Sequence, residues 1–219
     1  MRTVFTNRDE AGRALAARLA DEYLPGPIVV LALPRGGVPV AVHVAERLHA
    51  PLDLLLVRKI GAPWQRELAV AAVVDGDQPE VVIDEQMSEA TGASRAYIDE
   101  QSQIEWREIE RRRALYLPGR TPLPVQGATV IVVDDGIATG TTVRAALKAL
   151  RRRGAARLVL AVPVAPHDTL TQLRQEVDRV VCLAEPYPFH AVGMHYQDFE
   201  QVSDDEVIAA LAAASPGRS

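Results

Sequence analysis

The sequence predicts an α/β fold in which an open, twisted parallel sheet carries helices on both faces. Short apolar runs rich in β-branched residues alternate along the chain with stretches of helical character, as in parallel strands and their crossover helices. Two of these runs lead through a glycine-containing turn into a helix. The 219 residues, 48% of them apolar and 24% charged, are enough to bury a core. We expect one domain over residues 1–219, with a hairpin and helix inserted at about 78–125 and a small C-terminal closure segment.

The elements follow from periodicity and from start and stop signals. Asn7 is a plausible N-cap for a first helix, to which the sequence assigns only a packing role, and Ser203 is a plausible N-cap for the last helix. Asp75-Gly76 is a turn signal inside a hairpin. The expected core strands are 28–33, 52–57, 130–133, 157–162 and 179–183. The expected hairpin strands are 68–74 and 80–84. After the first helix, the expected helices are 38–49, 91–116, one from about 143, 168–176 and 203–214.

Bulk properties exclude several classes of protein. The net charge of −5 argues against bulk nucleic-acid binding, which normally needs a basic face. Cys182 is the single cysteine, so no intrachain disulfide can form, and its apolar surroundings indicate a buried hydrophobic residue rather than a nucleophile. Without a signal-peptide pattern or an apolar run of about 18 residues, we expect a cytoplasmic protein that does not span a membrane.

The stretch VIVVDDGIATGTTV at 130–143 is the most informative part of the sequence. It predicts a buried strand, an acidic pair, a loop of small residues and a helix start. Glycine backbone, threonine hydroxyls and the unpaired N–H groups of a helix start can together hold a phosphate. Asp134 and Asp135 suit a sugar diol or a hydrated cation, because ionised carboxylates only accept hydrogen bonds. A ribose 5-phosphate fits both parts; the alternative is an ordinary tight turn with two exposed acids.

The segment DDGIATGTT resembles the phosphoribosyl-diphosphate (PRPP) motif of the type I phosphoribosyltransferases. This resemblance implies that Asp134 and Asp135 hold the ribose hydroxyls. Mg²⁺ would then be bound mainly through PRPP and water, with the two aspartates contributing indirectly. The resemblance assigns the 5-phosphate to Ile137, Ala138, Thr139, Gly140, Thr141 and Thr142.

Two further segments match the same family pattern. PRGG, which contains Arg35, Gly36 and Gly37, resembles the loop that binds pyrophosphate, although alone it could be a plain turn. Arg58 and Lys59 are expected at the C-terminal end of a core strand, where open α/β sheets bind ligands. The following residues 60–68 are either a mobile lid or a surface segment whose tryptophan packs or contacts a dimer partner.

The acceptor is less well defined by the sequence. In the family, the segment that encloses the nucleobase is variable, and residues 184–193 are the candidate here. Tyr187 or Phe189 would stack on a flat ring and Glu185 would read its edge, unless the segment is only a structured loop. Family members that act on 6-oxopurines carry an aspartate where this chain has Ala138, which argues against hypoxanthine or guanine.

The resemblance implies a glycosyltransferase that uses PRPP and Mg²⁺, releases pyrophosphate, and works as a homodimer, as is common in the family. The alternative is a non-catalytic regulatory protein of the same fold that senses PRPP or nucleotides. A dinucleotide-binding Rossmann enzyme is disfavoured, because the residues after the first strand do not supply G-x-G-x-x-G.

Overall fold

A computed structural model describes residues 5–214 of the chain. Its centre is a five-stranded sheet in the order β2-β1-β6-β7-β8, and every neighbouring pair of strands is parallel. The predicted α/β fold with a parallel sheet is therefore confirmed. The strands are β1 (Ile28–Ala32), β2 (Leu52–Leu54), β6 (Thr129–Val133), β7 (Arg157–Val164) and β8 (Arg179–Ala184).

Helices cover both faces of this sheet because successive residues of its central strands point to opposite sides. On β6, Val130 and Val132 pack in one buried cluster, and Ile131 and Val133 pack in another. The first cluster includes residues of α5 (Thr141–Arg152) and α6 (His167–Leu173); the second includes residues of α1 (Arg8–Ala20), α2 (Gly37–Leu48) and α7 (Asp204–Ala213). The continuous apolar runs seen in the sequence are thus strands buried on both faces.

A second, antiparallel sheet in the order β3-β4-β5 lies between β2 and β6 along the chain. It consists of β3 (Val57–Ala62), β4 (Gln65–Val74) and β5 (Glu80–Ile83), and is followed by α3 (Glu85–Thr91) and α4 (Arg95–Tyr116). This sheet corresponds to the expected inserted hairpin, but it starts well before residue 78. The boundary between core and insertion remains a prediction.

The expected strand 52–57 is wrong in its extent. Regular pairing in the core sheet stops at Leu54, and the chain then crosses to the second sheet at Val57. Leu55 and Leu56 are both buried in this crossing, so the apolar run continues although the strand does not.

The expected helix 91–116 begins at Arg95 as α4, and α3, which precedes it, was not predicted. Gly92 ends α3 in a left-handed conformation with φ of 69°, and the Ser94 side chain accepts a hydrogen bond from the Tyr97 N–H to begin α4. The predicted N-caps at Asn7 and Ser203 are confirmed, the latter as a capping box with Glu206.

An arginine whose side chain is 12% exposed fixes α4 against both sheets. Arg113 donates to the carboxylates of Asp53, which lies on β2, and of Asp75, which follows β4, at 3.0 and 2.7 Å. Asp53 and Asp75 are buried, so this ion pair network joins three elements beneath the surface. Within the described residues, no helix combines the length and apolar character needed to cross a membrane.

Candidate functional site

The acidic pair lies at the C-terminal edge of the central sheet, directly after β6. Because β6 is flanked by β1 and β7, loops from all three strands meet at this point. The Ile137 N–H donates to the carbonyl of Val164 at the end of β7, at 3.0 Å, which fixes the start of the loop after the acids. Asp134 is half-buried and Asp135 is buried.

The PRGG turn packs directly against the acidic pair. A Cβ atom on Gly36 would overlap Oδ2 of Asp135, and one on Gly37 would lie 2.7 Å from the carbonyl oxygen of Val133. Only glycine permits so close an approach of the two loops. The peptide bond between Pro34 and Arg35 is cis. The two motifs that the sequence singled out are therefore brought together, although about a hundred residues separate them in the chain.

The loop between β6 and α5 contains the predicted phosphate-binding residues. Gly140, with φ of 73°, is the N-cap of α5, and no side chain caps the first turn of this helix. That turn also lacks acidic residues, so its backbone N–H groups and positive dipole end are available to an anion. The Thr139 and Thr141 hydroxyls are exposed and 3.5 Å apart. The helix begins at Thr141, two residues before the start that the sequence suggested.

Asp135 is held by residues that sequence reasoning did not assign to the site. Arg8 Nε donates to its Oδ2 at 2.7 Å, with both side chains only 12% exposed, and the Tyr196 hydroxyl donates to its backbone carbonyl at 2.6 Å. The Arg8 guanidinium also lies 3.9 Å above the ring centre of Phe199. The expectation that the first helix only packs is therefore wrong. No sequence signal links Arg8 to an aspartate 127 residues away.

The two carboxyl groups differ in their surroundings. Burial raises the pKa of Asp134 well above its ordinary value, and the neighbouring charge of Asp135 adds to this. Burial also raises the pKa of Asp135, but the Arg8 guanidinium opposes the shift. One oxygen of Asp134 accepts the Asp135 N–H at 2.9 Å. The site thus has one carboxyl neutralised by a cation and a second with no cation bound to it among the described residues.

Arg35, the predicted cation of the pyrophosphate loop, points towards the C-terminal helix. Its Nη1 lies 3.6 Å from Oδ1 of Asp204, at the start of α7. The same oxygen accepts a hydrogen bond from the Tyr116 hydroxyl of α4 at 2.6 Å. Asp204 therefore links the PRGG turn to the long helix that packs on the second sheet.

Arg58 and Lys59 are not at the C-terminal end of a core strand, and that expectation is wrong. They lie within β3, because the chain has already crossed into the antiparallel sheet. Arg58 Nε donates to Glu105 of α4 at 2.7 Å. Lys59 lines a cavity that extends to Thr139 and Thr141, so of the two cations it is the one that shares a cavity wall with the phosphate loop.

The three residues predicted to contact the acceptor do not form one pocket. Glu185 accepts from His167 and Arg174, at 2.6 and 2.8 Å, on the outside of α6. Tyr187 is 97% exposed. Phe189 stacks on the ring of His195 with 5.2 Å between centroids, and belongs to a small cluster with Val192 and Tyr196 near the acidic pair. Of the three, Phe189 is the one packed in the cluster next to the predicted ligand-binding loops.

A family model for the phosphoribosyl transferase domain matches residues 6–198. The chain belongs to the phosphoribosyltransferase family. It is 46% identical over 212 residues to a candidate phosphoribosyl transferase of Mycobacterium tuberculosis, in both strains compared, and the match covers 96% of this chain and 47% of that protein. The chain thus spans about half the length of these curated relatives.

The phosphoribosyltransferase domain also has a similar solved structure. The protein TT1426 from Thermus thermophilus superimposes with a TM-score of 0.77 and 38% identity, covering 98% of this chain and 100% of that one. The comparison and the topology agree on a type I phosphoribosyltransferase fold with a parallel core sheet and a small antiparallel sheet beside it. The predicted family and fold are confirmed.

Among the described residues, no cluster of three or more His, Cys, Asp or Glu side chains is arranged to hold a metal ion. The acidic pair nevertheless offers oxygen ligands of the kind that Mg²⁺ prefers. Asp135 is engaged by Arg8, so Asp134 is the carboxyl better placed to contribute to a hydrated Mg²⁺ carried by a phosphorylated ligand.

Proposed function

We propose that this phosphoribosyltransferase uses PRPP and Mg²⁺ to transfer ribose 5-phosphate to a nitrogenous acceptor, with release of pyrophosphate. The observation that carries the proposal is the approach of the PRGG turn to the acidic pair, next to the uncapped start of α5. Two anion-binding backbone segments and a carboxyl group between them match the two phosphorylated ends and the central diol of PRPP.

Each part of the site would have a distinct role. The loop from Ile137 to Thr142 would bind the 5-phosphate through backbone N–H groups and threonine hydroxyls, and Gly36 and Gly37 would admit the pyrophosphate to their backbone N–H groups. Asp134 would accept hydrogen bonds from the ribose diol. When bound, Mg²⁺ would neutralise negative charge on the leaving pyrophosphate.

Two cations would assist. Lys59, which has no ion pair with any described residue, would approach the phosphate groups when the β3–β4 hairpin moves towards the phosphate loop. Arg35 would exchange its 3.6 Å contact with Asp204 for a pyrophosphate oxygen. Arg58 would have to leave Glu105 to do the same, which makes it the weaker of the predicted catalytic residues.

The acceptor would be held near Phe189, beside the acidic pair. Glu185 and Tyr187 would have to move to reach it, because one is tied to α6 and the other projects from the surface. Ala138 provides no carboxylate towards the acceptor; its carbonyl accepts a hydrogen bond from Thr169 at 2.8 Å. The cytoplasmic location and the homodimer remain predictions.

The test is pyrophosphate release from PRPP and Mg²⁺ in the presence of a panel of purine, pyrimidine and other nitrogenous acceptors. We expect release with at least one acceptor and its loss in Asp134→Asn. Tight binding of PRPP without release across the whole panel would favour the regulatory alternative instead. No binding and no release would contradict both.

A further inference from the structure

A cavity of about 490 Å³ lies between α5 and the antiparallel sheet. Thr139 and Thr141 form its rim, and β4, β5 and α5 form its walls. Neither the acidic pair nor the PRGG turn lines it. The cavity therefore adjoins the proposed PRPP site without containing its diol-binding or pyrophosphate-binding part, and its volume is in the range of small-molecule sites.

Both lysines of the chain line this cavity. The sequence has 24 basic residues, of which all but Lys59 and Lys148 are arginine. Lys59 comes from β3 and Lys148 from the third turn of α5, so the two lysines line the cavity from different elements. A lysine is a compact, mobile point charge, which suits an anion whose position varies more than a fixed arginine pair allows.

The two lysine side chains of the cavity lack ion-pair partners among the described residues. Neither the Lys59 nor the Lys148 side chain makes a hydrogen bond or ion pair with another residue in the range 5–214. Arg144 donates to the side-chain oxygen of Gln172 at 2.7 Å, while its Nε is buried without a partner in that range. Of the two lining carboxylates, Asp84 caps α3 and Glu67 lies exposed on the hairpin.

The helix dipole adds to this imbalance. Arg144 lies in the first turn of α5, where positive side chains are disfavoured and negative ones preferred. The helices α1 and α7 follow the preference, with acidic residues in their first turns. A bound anion would offset the unfavourable arrangement in α5.

The rest of the lining is apolar. Leu68, Ala71, Ala72, Val82, Met87 and Ala145 contribute to it from β4, β5, α3 and α5. We propose that this cavity binds a small molecule that joins an anionic group to a compact apolar body, as an aryl phosphate does, with Lys59, Lys148 and Arg144 around the anion. PRPP lacks an apolar body, so this ligand differs from PRPP, although its site shares Lys59 and the rim threonines with the proposed PRPP site.

The lysine content permits a direct test. Reductive methylation with ¹³C-formaldehyde labels both lysines and keeps their charge, so apart from the chain's amino terminus every NMR signal of a methylated amine comes from a lysine that lines this cavity. Lys59 also lines a smaller cavity beside Tyr97, so the Lys148 signal is the decisive one. On titration with 1-naphthyl phosphate, both lysine signals are expected to shift with the same half-saturation concentration. We expect 1-naphthol, which lacks the charge, and inorganic phosphate, which lacks the rings, to bind about tenfold more weakly or worse.

Variants assign the binding to the cavity. Lys148→Gln should raise the half-saturation concentration about tenfold. Arg151→Gln, on the same helix but outside the cavity, should leave it unchanged. Lysine signals that do not move, equal binding by inorganic phosphate, or an unaffected Lys148→Gln variant would each overturn the proposal.

The same samples separate this site from the proposed function. Asp134→Asn should weaken PRPP binding, measured by calorimetry, and leave the half-saturation by 1-naphthyl phosphate unchanged. A parallel loss of both would place the naphthyl ligand in the PRPP site and overturn the second site. Failure of PRPP to bind, with the lysine shifts intact, would instead refute only the proposed function.

Discussion

The ion pair between Arg8 and Asp135 makes a strong prediction about stability. Replacing Arg8 by Gln removes the cation 2.7 Å from a buried carboxylate and leaves that carboxylate uncompensated. Loss of one partner costs about 3–5 kcal/mol for a fully buried pair, so we expect roughly 2–3 kcal/mol here, where both side chains retain 12% exposure. In a domain of this size that corresponds to a Tm lower by about 4–12 °C.

The loss of stability in the Arg8→Gln variant should depend on pH. Removing Arg8 takes away the group that opposes the rise in the pKa of Asp135, so the folded-state pKa climbs further. A carboxyl whose folded pKa exceeds its unfolded pKa binds more protons in the folded state, and stability then falls as the pH rises through that window. The deficit of the variant should therefore be largest at neutral pH and shrink below about pH 4, where the carboxyl is protonated in both states.

The assay is urea unfolding of wild type and variant at pH 7 and pH 4. Arg18→Gln is the matched control, since Arg18 lies on the same helix and its pair with Glu22 is solvent-exposed on the arginine side, a setting in which about 1 kcal/mol or less is expected. Equal losses for the two variants, or a deficit that grows on acidification, would refute the reasoning about Asp135.

Three further changes have clear expectations. Gly36→Ala should destabilise the fold by about 1–3 kcal/mol and weaken PRPP binding, because its Cβ would meet Asp135. The control is Gly119→Ala, in open space with φ of 71°, which should lower the free energy of unfolding in urea by about 1 kcal/mol and leave PRPP binding unchanged. Ser203→Ala should cost about 1 kcal/mol through loss of the capping box, with PRPP affinity by calorimetry unaltered. Cys182 is half-buried, and burial raises the pKa of its thiol to about 11, so iodoacetamide at pH 8 should alkylate the native thiol about 100-fold more slowly than the urea-unfolded one. Comparable rates would contradict the raised pKa.

Local chemistry was sufficient to predict much of the molecule. The buried strands, the two glycine-containing turns and the helix caps at Asn7 and Ser203 are each determined by a few neighbouring residues. Parallel pairing then places the C-terminal ends of β1 and β6 side by side, which is why the PRGG turn and the acidic pair could be expected together.

The errors arose where burial or long-range contacts, rather than neighbouring residues, determine the local structure. The run from Leu52 to Val57 is apolar throughout because both the strand and the crossing to the second sheet are buried, so periodicity could not locate the end of β2. The positions of Arg58 and Lys59 followed from that error. Arg8 was missed because the sequence does not distinguish an arginine in the first turn of a helix that points to solvent from one that binds a distant acid.

The most direct test of the account is calorimetric titration of the protein with PRPP in the presence of Mg²⁺, for wild type and Asp134→Asn. If the acidic pair and the loop after it bind the phosphorylated sugar, wild type should bind one PRPP per chain. The variant, having lost a charge-assisted hydrogen bond worth roughly 1.5–3 kcal/mol, should bind about 10- to 150-fold more weakly. Equal affinities for the two proteins, or no heat with wild type, would contradict the account.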